Sequence, residues 1–171
     1  MTWIEVVDSA VKIGLGALIA GVIAFLLSST QHRNELKKAK IEREFEMLKE
    51  VAEKVENFNN IALRYWSLSS DWRRRLLLDS TILPSSNLLD SQNDLYDSFS
   101  ELTKAESLLL FGYDEASVSL RSYGETVISF RKRVSSLDIF FDESDAASYR
   151  ESMIDKRAEL FKILNKIYKM I

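Results

Sequence analysis

A single proline, Pro84, interrupts 171 residues, and only five glycines accompany it. Sandwiches and α/β sheets need a turn about every ten residues. A chain this sparsely punctuated is expected to form a few long helices instead. With no Cys, a disulfide scaffold, a cysteine nucleophile and a thiolate metal site are excluded. The 23 Lys and Arg against 26 Asp and Glu leave a net charge of −3 without a long basic run. That argues against nucleic acid as a partner, because a basic face is the usual footprint.

From Ile13 to Ser29 the chain reads IGLGALIAGVIAFLLSS, seventeen residues without a charge, and Ala10, Val11 and a snorkelling Lys12 extend the apolar element to twenty. At about 1.5 Å rise per residue this is about 30 Å, the thickness of a bilayer's hydrocarbon core. Residues 1–29 are therefore expected to be a transmembrane anchor. A cleaved signal peptide would have a basic start and a small-residue exit, whereas this segment starts MTWIEVVD and leaves through LLSSTQ. Thr2-Trp3-Ile4-Glu5 matches a capping box, which predicts a helix start at the second residue, and Trp3 suits an interfacial anchor.

Only Lys12 is basic before Ile13, while Arg33, Lys37, Lys38, Lys40 and Arg43 follow the span closely. By the positive-inside rule the C-terminal side is cytoplasmic and the N-terminus outside, in a cell or inner membrane. Within the span, Gly14, Gly16, Ala17, Ala20, Gly21 and Ala24 create small-xxx-small pairs. Such spacing lets two helices approach closely in lipid and makes a homo-oligomer a natural expectation. No ionisable side chain lies between Ile13 and Leu27, so the span offers no ion pathway or proton relay of its own.

Residues 30–46, TQHRNELKKAKIEREFE, are mostly charged and are expected to form a juxtamembrane helical stalk of about 25 Å whose lysines meet anionic lipid. From residue 47 onward the pattern becomes amphipathic. Leu48, Val51, Val55, Phe58, Ala62, Tyr65, Ser69, Trp72 and Leu76 alternate steps of three and four. Polar residues around Pro84 predict a reversal. A second seam runs through Leu88, Gln92, Leu95, Phe99, Leu102, Glu106 and Leu109 to a Gly112 suited to a left-handed C′ position. The third, capped by Asp114, carries Ala116, Leu120, Tyr123, Val127, Phe130, Val134, Leu137 and Phe141. Asp142, Glu143, Ser144 and Asp145 read as the last turn, with a capping-box match at Ser148-Tyr149-Arg150-Glu151 just inside the last helix. The final seam is Met153, Arg157, Leu160, Leu164, Ile167 and Ile171. The expected fold is all-α: a single N-terminal transmembrane helix continuing into a helical stalk and an antiparallel four-helix bundle over residues 47–171.

The search for chemistry is negative. Neither phosphate-loop motif occurs, nor H-E-x-x-H, nor G-x-S-x-G, and the one histidine, His32, stands at the membrane exit. A di-iron bundle needs Glu-x-x-His pairs, and residues 47–171 contain no His. The acidic turn at Asp142 is too short for an EF-hand and is explained by helix capping. No catalytic residue, metal or cofactor is predicted, and an ordinary enzyme is not expected.

Two local features stand out. Glu106 and Arg157 occupy polar seam positions on diagonal helices at similar levels, which suggests a buried pair, since a lone charge in a core is costly. Gly124 lies at the level of Glu106 and would permit close packing. Trp66 together with Trp72, Arg73, Arg74 and Arg75 forms a candidate partner surface, because Trp and Arg are enriched in interface hot spots.

The function expected from this architecture is non-enzymatic: a membrane-anchored module that meets lipid through its span and offers a cytoplasmic bundle to a protein partner. One alternative is a membrane-acting defence, toxin or prophage effector whose bundle controls assembly of the span. The layout, one N-terminal span followed by long helices, is similar to phage inner-membrane spanins and, more loosely, to four-helix extracytoplasmic sensor domains. That likeness is one of architecture and includes no motif. It implies helices outside the cytoplasm, against the basic flank, and a chemoreceptor-like sensor is expected to carry a second span after its bundle, of which residues 47–171 show no sign.

Overall fold

The computed structural model describes the backbone of residues 3–135 and 143–171, and in that range the side chains of residues 21, 23–25, 27–29 and 31 onward. Four helices account for nearly all of it: α1 Trp3–Leu78, α2 Ser86–Leu109, α3 Asp114–Ser135 and α4 Glu143–Tyr168. No strand occurs among the described residues. The chain divides into two compact units, Met1–Glu44 and Phe45–Ile171.

In the first unit, the described side chains are exposed almost throughout, and Lys40 and Glu44 form an i,i+4 ion pair at 3.7 Å. Among the described residues no helix is long and apolar enough to cross a membrane. The expected anchor at residues 1–29 falls mainly on side chains outside that set, including Gly14, Gly16, Ala17 and Ala20; Gly21 and Ala24 are exposed, and a Cβ added at Gly21 would meet nothing within 4 Å.

The second unit is a helical bundle whose pairings run in consistent directions. Lys54 reaches Glu101 at 2.6 Å and Arg64 reaches Asp94 at 3.6 Å, so α1 and α2 are antiparallel. Arg121 with Glu106, and Arg133 with Asp145, make α2–α3 and α3–α4 antiparallel too, while Trp66 with Ala146 closes α4 against α1. Diagonal contact between α1 and α3 is made by aromatic rings packed edge to face: Phe58 with Tyr123 at 5.6 Å and Tyr65 with Phe130 at 6.0 Å. All four rings are at most 1 % exposed. Each contributes about 1.5–3 kcal/mol of burial, which makes this column the centre of the core.

The seams of α1 and α3 bury as their periodicity predicts, from Leu48 through Ser69 and from Ala116 through Val134. Leu137 and Phe141 lie outside the described residues. On α2 the buried stripe is Leu88, Ser91, Leu95, Ser98, Leu102, Ala105 and Leu109. The expected Gln92, Phe99 and Glu106 are thus each displaced by the preceding small residue. A 3.6-residue period lets either position face inward, and the small side chains let α2 sit close to its neighbours. Closeness is visible at Gly124, where an added Cβ would stand 2.8 Å from Leu102 Cδ2.

Ends of helices follow local chemistry with small corrections. Ser85 caps α2 by accepting from the Leu88 N–H at 3.3 Å, just after the predicted reversal. Gly112 takes φ +131°, but Leu110 is the C-cap of α2, so the glycine stands at C″ rather than C′. Asp114 is the first residue of α3 rather than its cap, and there its carboxylate still opposes the positive end of the helix. Glu143, Ser144 and Asp145, expected as a turn, already belong to α4, while Asp142 lies outside the described residues; the capping-box match at Ser148 falls inside the helix, as the sequence places it.

Candidate functional site

The end of the bundle where α1 finishes and α4 begins carries most of the predicted partner residues. Trp66 is fixed by its Nε1–H, which donates to the Ala146 carbonyl at 2.7 Å, and the Arg150 guanidinium lies over its ring at 5.5 Å. One and two turns further along α1, Ser70, Arg73 and Arg74 border the same space, and the exposed Leu77 closes it. Opposite them stand Glu143, Ala146 and Ala147 in the first turns of α4. Between these walls is a cavity of about 180 Å³.

The electrostatics of the cavity are uneven. Arg74 Nη2 holds the Glu143 carboxylate at 2.9 Å at the exposed mouth. Arg73, in contrast, is 5 % exposed, a depth unusual for a guanidinium. Ser70 Oγ is buried and has no hydrogen-bond partner among the described residues. The cavity is mainly apolar in its lining, with a few polar groups at its border, as pockets commonly are.

Trp72 and Arg75, grouped with this surface in the sequence, fall elsewhere. Trp72 faces a second, open groove of about 430 Å³ shared with Leu76, Ile82, Leu83 and Leu88, and its Nε1–H donates to the Ile82 carbonyl at 3.3 Å. Arg75 pairs with Asp71 one turn back on an exposed face. The heptad count assigns Trp72 to the seam; the helix instead buries Arg73, one position on. Glu143, Ala146 and Ser70 carried no sequence signal of a site, because only the packing of α4 on α1 brings them to the cavity.

The expected Glu106–Arg157 pair does not form among the described residues. Each instead takes a partner on an adjacent helix. Glu106 accepts from Arg121 Nη2 at 2.5 Å and from its Nε at 3.0 Å. Arg157 bonds Glu56 and lies over the Phe161 ring at 5.0 Å. The reason is the one-position shift of α2: Ala105 takes the core position and Glu106 moves to the flank, out of reach of a diagonal helix. What lies at the core instead is Tyr123, whose hydroxyl meets Asn59 Oδ1 at 3.1 Å. Burial pushes the Tyr123 phenol well above its ordinary value. A phenol held neutral this firmly is a structural hydrogen-bonding group at neutral pH.

No group of three or more metal-ligating side chains occurs among the described residues. Comparison of the chain with protein families, with curated proteins and with solved structures found no match.

Proposed function

We propose that the chain is a single-pass membrane protein, without catalytic activity of its own, that presents a helical bundle to a protein partner in the cytoplasm. The observation that carries this reading is the uninterrupted apolar run Ile13–Ser29 with its basic flank from Arg33 to Arg43. Trp66 and the exposed Arg74, at the border of the α1–α4 cavity, support the second half, since aromatic and arginine side chains are enriched at interface centres. Self-association through Gly16, Ala17, Ala20 and Gly21 belongs to the same proposal and would gather several bundles at one place on the membrane.

Because the chain has no cysteine, single substitutions report topology cleanly. Thr2→Cys and Ser85→Cys are tested separately in intact cells with a membrane-impermeant thiol reagent. Labelling at position 2 alone is the expected result and places the bundle in the cytoplasm. Labelling at position 85 would overturn the orientation and turn attention to an extracytoplasmic sensor or spanin-like role. Labelling at neither before lysis and both after it would place the whole chain inside and refute the span.

A further inference from the structure

We infer that the cavity between α1 and α4 is a binding site for a small uncharged molecule built on one aromatic ring. Size sets the first limit. A cavity of about 150 Å³ lined by apolar side chains stays dry and takes up benzene. The 180 Å³ here has room for one ring and little more. Protein interiors are close-packed, so an unfilled space of this size forgoes contacts that a guest of matching volume restores.

The wall sets the second limit. Its apolar part is the indole of Trp66 with the side chains of Leu77, Ala146 and Ala147. The indole cannot swing away cheaply, because its Nε1–H is committed to the Ala146 carbonyl at 2.7 Å. An aromatic guest gains a ring-to-ring contact with it that a saturated ring of the same size does not.

The polar groups at the border set the third limit, because they are already committed. Arg74 and Glu143 hold each other at 2.9 Å at the exposed mouth. Arg73 is buried and is engaged within the protein as well. The Ser70 hydroxyl is buried too, and the Trp66 N–H is spent on Ala146. An ionised ligand would surrender its hydration here for partners that are already taken, a large cost in an apolar space. An uncharged ring gives up little, and one small polar substituent can stay wet at the mouth. The site requires neither a particular membrane topology nor a protein partner.

Phenol is the probe, with cyclohexanol as its saturated counterpart and benzoate as its charged one. Each is titrated into the full-length protein in detergent while the Trp66 indole N–H resonance is followed by NMR. Saturable phenol binding is expected, about threefold or more tighter than cyclohexanol and about tenfold or more tighter than benzoate. Alanine-methyl labelling then locates the guest: nuclear Overhauser effects should run from the phenol ring protons to the methyl groups of Ala146 and Ala147. Equal affinity for phenol and benzoate would overturn the requirement for an uncharged ligand, and equal affinity for phenol and cyclohexanol the requirement for an aromatic one. No saturable shift at millimolar phenol, or Overhauser effects that bypass both alanines, would overturn the site.

Discussion

Arg157 shows how much a charged side chain's partner depends on which neighbour its helix turns it toward. Its guanidinium bonds Glu56 and lies on Phe161, with about a third of the side chain exposed. Solvent screens such a pair, so its coupling is expected to be about 0.5–1 kcal/mol. A double-mutant cycle of Arg157→Met with Glu56→Gln should return that coupling in urea melts, whereas Arg157→Met with Glu106→Gln should be additive. The reverse pattern would restore the diagonal pair. Glu101 carries a pH dependence of the same local kind. Hydrogen bonds from Lys104 and then Lys54 pull its carboxyl from an ordinary 4.5 down to about 2. A lowered value means that its stabilisation is present above about pH 4.5 and drains away as pH falls toward 2. Glu101→Gln should therefore flatten the acid limb of the stability profile over that interval and leave its slope near pH 7 unchanged, as measured by urea melts across pH.

Packing of α2 on α3 is decided by small residues. An added Cβ at Gly124 meets the movable tip of Leu102, so Gly124→Ala should cost little. Relief of glycine's helix penalty, about 1 kcal/mol, offsets the crowding, and the net change in melting free energy should stay within about 1 kcal/mol. Gly124→Val adds branching that Leu102 cannot evade and should destabilise by about 1–3 kcal/mol. Equal effects of the two would mean that α2 can shift away. The same closeness explains which elements were legible in the sequence. The stripes of α1 and α3 are built from large apolar residues with polar neighbours, so only one face could be inside. On α2 the adjacent pairs Ser91/Gln92, Ser98/Phe99 and Ala105/Glu106 offer two solutions, and hydrophobicity favours Phe99 where volume favours Ser98. Phe99 is not lost to the fold; it packs from the flank, edge to face with Phe58 at 5.0 Å. The Trp66 cavity was legible only in its α1 half. Residues on α4 contribute through tertiary placement, which carries no mark in a one-dimensional pattern.

At the scale of the whole molecule, two parts of the chain are patterned differently. Phe45–Ile171 has alternating polar and apolar faces, the signature of helices that bury one side against each other in water. Residues 13–29 are apolar all round, which in the proposed reading suits a helix surrounded by lipid. Among the described residues of the bundle no group of three or more metal-ligating side chains occurs, and the interior polar pair of Asn59 and Tyr123 serves packing. Function in this reading comes from position, by holding a Trp/Arg-bordered cavity at a membrane. Alkaline carbonate extraction of cell membranes tests that anchorage most directly. The parent chain is predicted to stay in the pellet. Leu18→Arg places a charge at the middle of the span at a cost of about 2.5–3.5 kcal/mol and should shift a substantial fraction into the soluble phase. Complete extraction of the parent chain under the same conditions would contradict the membrane anchor.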